Sequence, residues 1–222
     1  MAFTRRLAGL LLVAAAVAAA PLMRAHAEDK VGSTEIALGD RKAPVTLIEY
    51  ASVSCPHCAR FNRDVFPELK TRYIDTGKVR YVFREAPIHP ELDTAGFLVA
   101  RCAGPARYLT VADALFRAQP SLFEKNDLHA WLMAGAAAGG LDEATMRACI
   151  SDVAAIQAFN DRAQHTVEVD KIDSTPTVLV NGVRVAAKGA EFTIADIDAA
   201  VQPLLPGKSP ASHRRAHSAS VH

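Results

Sequence analysis

The stretch Val45 to Phe61, reading VTLIEYASVSCPHCARF, runs an apolar segment straight into two cysteines separated by Pro56 and His57. Val45, Leu47, Ile48 and Tyr50 are apolar, β-branched or aromatic, which predicts a strand buried on both faces with Glu49 as its one acid. After Cys58 the apolar residues Phe61, Val65, Leu69 and Tyr73 recur every fourth position, so they form one stripe along a helix. The cysteines are thus expected at a strand-to-helix junction. A helix N-terminus presents unpaired N–H groups and partial positive charge, which stabilise a thiolate. Cys55 stands where it would benefit, Pro56 suits the first helical position, and His57 adds a dipole that becomes a charge on protonation. A structural zinc site would need four ligands, and no second close Cys/His pair follows. Haem attachment would need histidine after the second cysteine, where Ala59 stands.

The 222 residues allow one domain with a sizeable core, or one carrying an insertion. A formal net charge of +1 leaves no basic footprint for nucleic acid. Arg5 and Arg6, the apolar run Leu7 to Leu22, and Ala25-His26-Ala27 read as a signal peptide over residues 1–27. Cleavage is expected after Ala27, with an uncleaved anchor as the alternative. Export would place the chain in an oxidising compartment, where its four cysteines permit two disulfides. Cys102 and Cys149 are expected to pair as a structural disulfide; free buried thiols are the alternative.

Glu35 to Leu38 could form a short edge strand. Pro67 should kink the first helix, which is expected to end near Gly77. Lys78 to Glu85 reads as a second strand, so strand, helix and strand make a parallel unit. From Glu91 to about Asp170 the pattern is helical and alanine-rich, broken at Gly104-Pro105, Pro120-Ser121 and Gly139-Gly140. That predicts four or five short helices in a bundle, with Trp131, Leu132, Phe116 and Phe123 as its core. Thr177 to Val180, Asn181-Gly182 and Val183 to Val185 carry a strong hairpin signal. A last helix is expected from Thr193, capped with Asp196, to Leu205. The Pro-, Ser- and His-rich tail 206–222 is expected to be disordered.

Cys-Pro-His-Cys after a strand, followed much later by Ser174-Thr175-Pro176-Thr177 and Asn181-Gly182, resembles the exported DsbA-like thiol-disulfide oxidoreductases of the thioredoxin superfamily from about Ala43 to Leu205. The resemblance implies an α/β, thioredoxin-like fold with an inserted all-helical subdomain. Its parts would be 28–90 and 171–205, with the helical insertion at 91–170. It makes Cys55 the exposed nucleophile, Cys58 the buried resolving cysteine, and Pro56-His57 the tuning dipeptide. Glu49 would be a buried acid that moves protons from Cys58, although the residues alone also allow an ordinary edge-strand acid. Thr175 and Pro176 would form the cis-proline loop that receives substrate. The implied activity is the introduction of disulfides into exported proteins in the periplasm, by a monomer with no cofactor or metal. Partners would be folding proteins with free thiols and a membrane redox protein that resets the site. Thr175 departs from the valine of many strong oxidases of this family, which keeps an isomerase or reductase open. A dimeric isomerase would need a further domain, and only Glu28 to Pro44 precedes the first motif strand. From another class, a non-catalytic peptide-binding chaperone is the alternative.

Overall fold

The computed structural model describes residues 35–207. The expected signal segment with its cleavage point after Ala27, and the tail from residue 208, lie outside the described residues. A five-stranded sheet takes the order β1-β3-β2-β4-β5. The strands are β1 (Ile36–Leu38), β2 (Val45–Ala51), β3 (Val79–Glu85), β4 (Thr177–Val180) and β5 (Val183–Arg184). The β-branched and aromatic residues of β2 place it at the centre, parallel to β3 with Glu49 opposite Phe83 and antiparallel to β4 with Tyr50 opposite Thr177. Val45, Leu47 and Ala51 are fully buried and Tyr50 nearly so. The β4–β5 hairpin turns through Asn181 and Gly182, both at positive φ, as a two-residue Asn-Gly turn requires.

Between β2 and β3 the chain forms α1 (Pro56–Asp64), breaks at Val65, resumes as α2 (Phe66–Leu69) and closes with a π-helical turn over Lys70–Ile74. Pro67, which has no N–H to offer the preceding turn, accounts for the break. The stripe survives it: Phe61, Val65, Leu69 and Tyr73 are all buried. At the C-terminus, α9 (Ile194–Val201) starts with the Thr193–Asp196 capping box. It gives way to a 3-10 turn over Gln202–Leu204 rather than running to Leu205, because Pro203 cannot donate to an α-helical bond.

Six helices separate β3 from β4, where four or five were expected: α3 (Pro90–Cys102), α4 (Tyr108–Arg117), α5 (Gln119–Phe123), α6 (Leu128–Gly139), α7 (Glu143–Ile150) and α8 (Val153–Glu168). Two boundaries are not marked by the Pro and Gly breaks, and both are local chemistry: the Asp127 carboxylate caps α6 by accepting from Ala130 N–H, and the Asp152 carboxylate caps α8 by accepting from Ala154 and Ala155 N–H. Trp131, Leu132 and Phe116 are buried as expected. Trp131 also donates its indole N–H to the Leu115 carbonyl at 2.9 Å. Phe123 corrects the expectation, being 48% exposed. It ends a five-residue helix that turns Gln119 and Leu122 inward, so its own ring points out, 6.2 Å from that of His89. At Gly96 a Cβ would stand 2.8 Å from both the Trp131 ring and the Val53 side chain, so α3 can lie close against the segment after β2.

Two ties hold these helices to one another and to the sheet. Glu85, at the end of β3, accepts from Arg101 Nε of α3 at 2.7 Å, Tyr108 Oη of α4 at 2.9 Å and Arg162 Nε of α8 at 2.7 Å. A disulfide joins Cys102 of α3 to Cys149 of α7, with Cα atoms 6.1 Å apart.

Glu85→Ala would leave two guanidinium groups without that carboxylate, and should lower the unfolding free energy in urea by about 3 kcal/mol. Replacing both Cys102 and Cys149 with Ala opens a crosslink of sequence separation 47. Denaturation of that variant should show a loss of up to about 4 kcal/mol in the chain-entropy model.

Candidate active site

Strand β2 ends at Ala51, and Ser52, Val53 and Ser54 carry the chain, fully buried, to Cys55. A turn bond from Cys55 N–H to Ser52 O at 3.1 Å sets Cys55 as the N-cap of α1, and Pro56 follows in its first turn. The Cys55 carbonyl already accepts the helical bond from Ala59 N–H. Its sulfur therefore sits at the positive end of the helix. Cys58 lies one turn further in, fully buried, and Cys55, expected to be exposed, is itself only 2% exposed, with the Thr175 carbonyl oxygen close against its sulfur; both cysteines are free thiols. The antiparallel β2–β4 register brings the residues just before β4 beside those just after β2. There the Thr175–Pro176 peptide bond is cis, and the Thr175 carbonyl oxygen lies 3.5 Å from Cys55 Sγ, from which it accepts while the sulfur is protonated.

The two sulfurs are driven apart in acidity. Cys55 is pulled down to about 5, first by the hydrogen bond from Cys58 and then by the backbone N–H groups of Cys58 and His57, against the opposing effect of burial. Cys58 is pushed well above the ordinary thiol range by burial, by its bond to Cys55 and by the nearby charges of Cys55 and Glu49. At neutral pH the pair is one thiolate and one thiol. Glu49, buried in β2, is raised to about 7 by desolvation and the Cys55 charge, although Tyr81 Oη donates to its Oε2 at 2.7 Å. A carboxyl poised there can take or return a proton at neutral pH.

His57 acts on Cys55 through its backbone N–H, while its exposed ring turns to another partner. Its Nδ1 lies 2.8 Å from Glu191 Oε1, and Arg60 Nε donates to that same oxygen at 2.6 Å. These hydrogen bonds, that of Arg60 first, hold Glu191 below the usual carboxylate range. Cys55, Pro56, His57, Cys58, Glu49, Thr175 and Pro176 thus gather around the end of β2, whereas Cys102 and Cys149 join α3 to α7 elsewhere. A cleft of about 960 Å³ opens beside Pro56 between α1–α2 and α4–α5, with Arg60, Phe66, Phe116 and Phe123 on its walls.

Several neighbours were not singled out from the sequence. Gln119 donates from α5 to the carbonyls of Val53 and Cys55, at 2.9 and 3.1 Å. Tyr81 could have been found from strand alternation once the register was known, since it pairs with Leu47, two residues before Glu49 on the same face. Glu191 and Gln119 carry no local signal.

A family model described as Thioredoxin matches residues 32–202. A Rickettsia bellii protein provisionally named a protein-disulfide oxidoreductase is 29% identical over 174 residues, covering 78% of this chain and 67% of that protein. Against the first rickettsial relatives the chain spans only 62 to 67% of their length. Disulfide bond formation protein D of Bacillus subtilis is 26% identical, with 77% of each chain covered. Among solved structures, α-DsbA1 of Wolbachia pipientis superposes with a TM-score of 0.68 at 27% identity, over 78% of this chain and 91% of that one.

A Cys55 thiol lowered from 9.0 to about 5 stabilises the folded dithiol form. That stabilisation is complete above the unfolded thiol's value and disappears as pH falls through about 5. The disulfide form has no such thiol. Urea denaturation should therefore find the reduced protein more stable than the oxidised one at pH 7, with the difference shrinking toward pH 5, and thiolate absorbance at 240 nm should titrate near pH 5.

Proposed function

We infer that this chain, which belongs to the thioredoxin family, works as a DsbA-like thiol-disulfide oxidoreductase that donates a Cys55–Cys58 disulfide to other proteins. The observation that carries this reading is the split between the two sulfurs: Cys55 acidic at the start of α1, Cys58 buried and held protonated behind it. Such a pair favours the dithiol, and an enzyme whose dithiol is favoured has an oxidising disulfide.

The exchange proceeds in two displacements. A substrate thiolate attacks Cys55 Sγ of the disulfide, forming a mixed disulfide as the Cys55–Cys58 bond breaks and Cys58 leaves with the electron pair. Glu49 returns a proton to Cys58. A second substrate thiolate then attacks its partner sulfur, and Cys55 leaves as a stabilised thiolate. The substrate loses two electrons and the enzyme gains them. Thr175 and Pro176 present backbone atoms to the incoming chain, with the Thr175 carbonyl already facing Cys55.

The substrates in this reading are exported proteins that still carry free thiols, met in the periplasm after removal of residues 1–27. Among the described residues no helix is long and apolar enough to cross a membrane. The enzyme then needs an oxidant to restore its disulfide, and a membrane-embedded redox protein has the chemistry for that step. The chain works as a monomer. Thr175 favours a second reading in the same fold, an isomerase or reductase kept in the dithiol form.

Equilibration with a glutathione buffer decides between them. The donor reading expects a reduction potential near the DsbA value of about −120 mV, and one near thioredoxin's, about −270 mV, would overturn it; the interval corresponds to about 7 kcal/mol. Cys55→Ala should abolish exchange, whereas Cys58→Ala, given a disulfide-bonded substrate that the Cys55 thiolate can attack with release of one substrate thiolate, should accumulate the mixed disulfide because the resolving thiol is gone. Full activity in the Cys55 variant would instead favour a binding module.

A further inference from the structure

The segment that delivers Cys55 rests on a carboxylate with no part in the exchange steps above. Asp93, in the first turn of α3, is fully buried. An ionised carboxylate in such a place must be compensated by donors. Ser54 N–H donates to its Oδ1 at 3.1 Å, and the N–H groups of Ile88 and His89 donate to Oδ2 at 2.9 and 3.0 Å. Ser52 Oγ lies 2.8 and 2.9 Å from the two carboxylate oxygens, and Ser54 Oγ lies 3.0 Å from Oδ2. Each hydroxyl has one proton to give. That of Ser52 goes to Asp93. That of Ser54 goes to Asp93 when His89 Nδ1, 2.8 Å away, carries its own proton and donates to Ser54. The positive end of α3 adds to this compensation.

The donors come from two stretches of chain far apart in sequence. Ser52 and Ser54 belong to the active-site segment; Ile88 and His89 belong to the connection between β3 and α3. One short side chain anchored on a helix therefore clamps the first to the second. The clamped atoms begin the turn in which Cys55 N–H bonds Ser52 O. That turn decides how Cys55 meets the N–H groups at the start of α1.

We propose that Asp93 is a positioning residue for exchange at Cys55, holding Ser52 and Ser54 against the first turn of α3 so that the sulfur stays in line with the α1 N-terminus. This rests on the thiol-disulfide exchange reading. A buried negative charge acting only through its field would oppose a Cys55 thiolate, so its removal would make Cys55 more acidic. Loss of a clamp does the reverse, because the helix-terminal donors no longer meet the sulfur.

The two effects can be separated with the reduced full chain, by following thiolate absorbance at 240 nm against pH and the equilibrium with glutathione. Asp93→Asn removes the charge and turns one acceptor into a donor facing N–H groups. The double variant Ser52→Ala/Ser54→Ala keeps the charge and removes both hydroxyl bonds. In each, the Cys55 midpoint should rise by about half a pH unit or more, and the disulfide should weaken as an oxidant by about threefold or more. A midpoint that falls or stays put in both variants overturns the proposal, including when thermal stability alone drops. If Asp93→Asn does not fold, the serine double variant decides by the same criterion. Wild-type protein run alongside separates the two failures: if it exchanges normally and the variants match it, only the role of Asp93 falls. If it does not exchange at all, the enzymatic reading fails and the proposal with it.

Discussion

Strand β2 is hydrogen-bonded on both edges, parallel to β3 and antiparallel to β4, and the site depends on that double pairing. Parallel pairing with β3 needs a crossover, and α1 is the start of that crossover. The chain leaves β2 at Ala51 and enters α1 at Pro56 after a short turn, which puts Cys55 on the helix N-terminus. Antiparallel pairing with β4 makes the next strand arrive at the same end, so Thr175 and Pro176 come in opposite the sulfur. Glu49 lies opposite Phe83 on one side and Val178 on the other. Its side chain is almost wholly buried, and that desolvation is what raises its carboxyl to about 7.

Three of the buried carboxylates show how compensation sets what an acid can do. Glu85 faces two guanidinium groups and a tyrosine hydroxyl, and binds β3 to three helices. Among the described residues the donors to Asp93 are N–H groups and hydroxyls rather than cations. Glu49 has the Tyr81 hydroxyl at 2.7 Å, too little to offset burial, and its pKa rises to about 7. The same functional group becomes a tie between elements, an acceptor for two stretches of chain or an acid with a raised pKa according to the number and charge of its donors.

Much of the fold can be read from neighbouring residues. The apolar run of β2, the four-residue stripe of Phe61, Val65, Leu69 and Tyr73, the Asn181-Gly182 turn and the Thr193–Asp196 box each state a local backbone preference that the structure keeps. Expectation and structure part where a short-range signal is weak. Asp152 starts a helix that the Pro and Gly breaks alone do not mark, and Phe123 faces out because α5 is too short to bury more than one side. An aromatic residue announces its size, not the direction in which its helix will point it.

The sequence by itself determined the strand-to-helix junction that carries the two cysteines, the helical character of the stretch before β4, and the chemistry that two sulfurs so placed can perform. These follow from spacing, φ/ψ preference and side-chain type within a few residues. Tertiary structure alone decided that Glu191 turns to His57 from 134 positions away, that Tyr81 reaches Glu49, and that Asp93 holds Ser52 and Ser54. Such contacts depend on how whole elements pack, and no interval along the chain encodes the distance between two side chains brought together by a sheet.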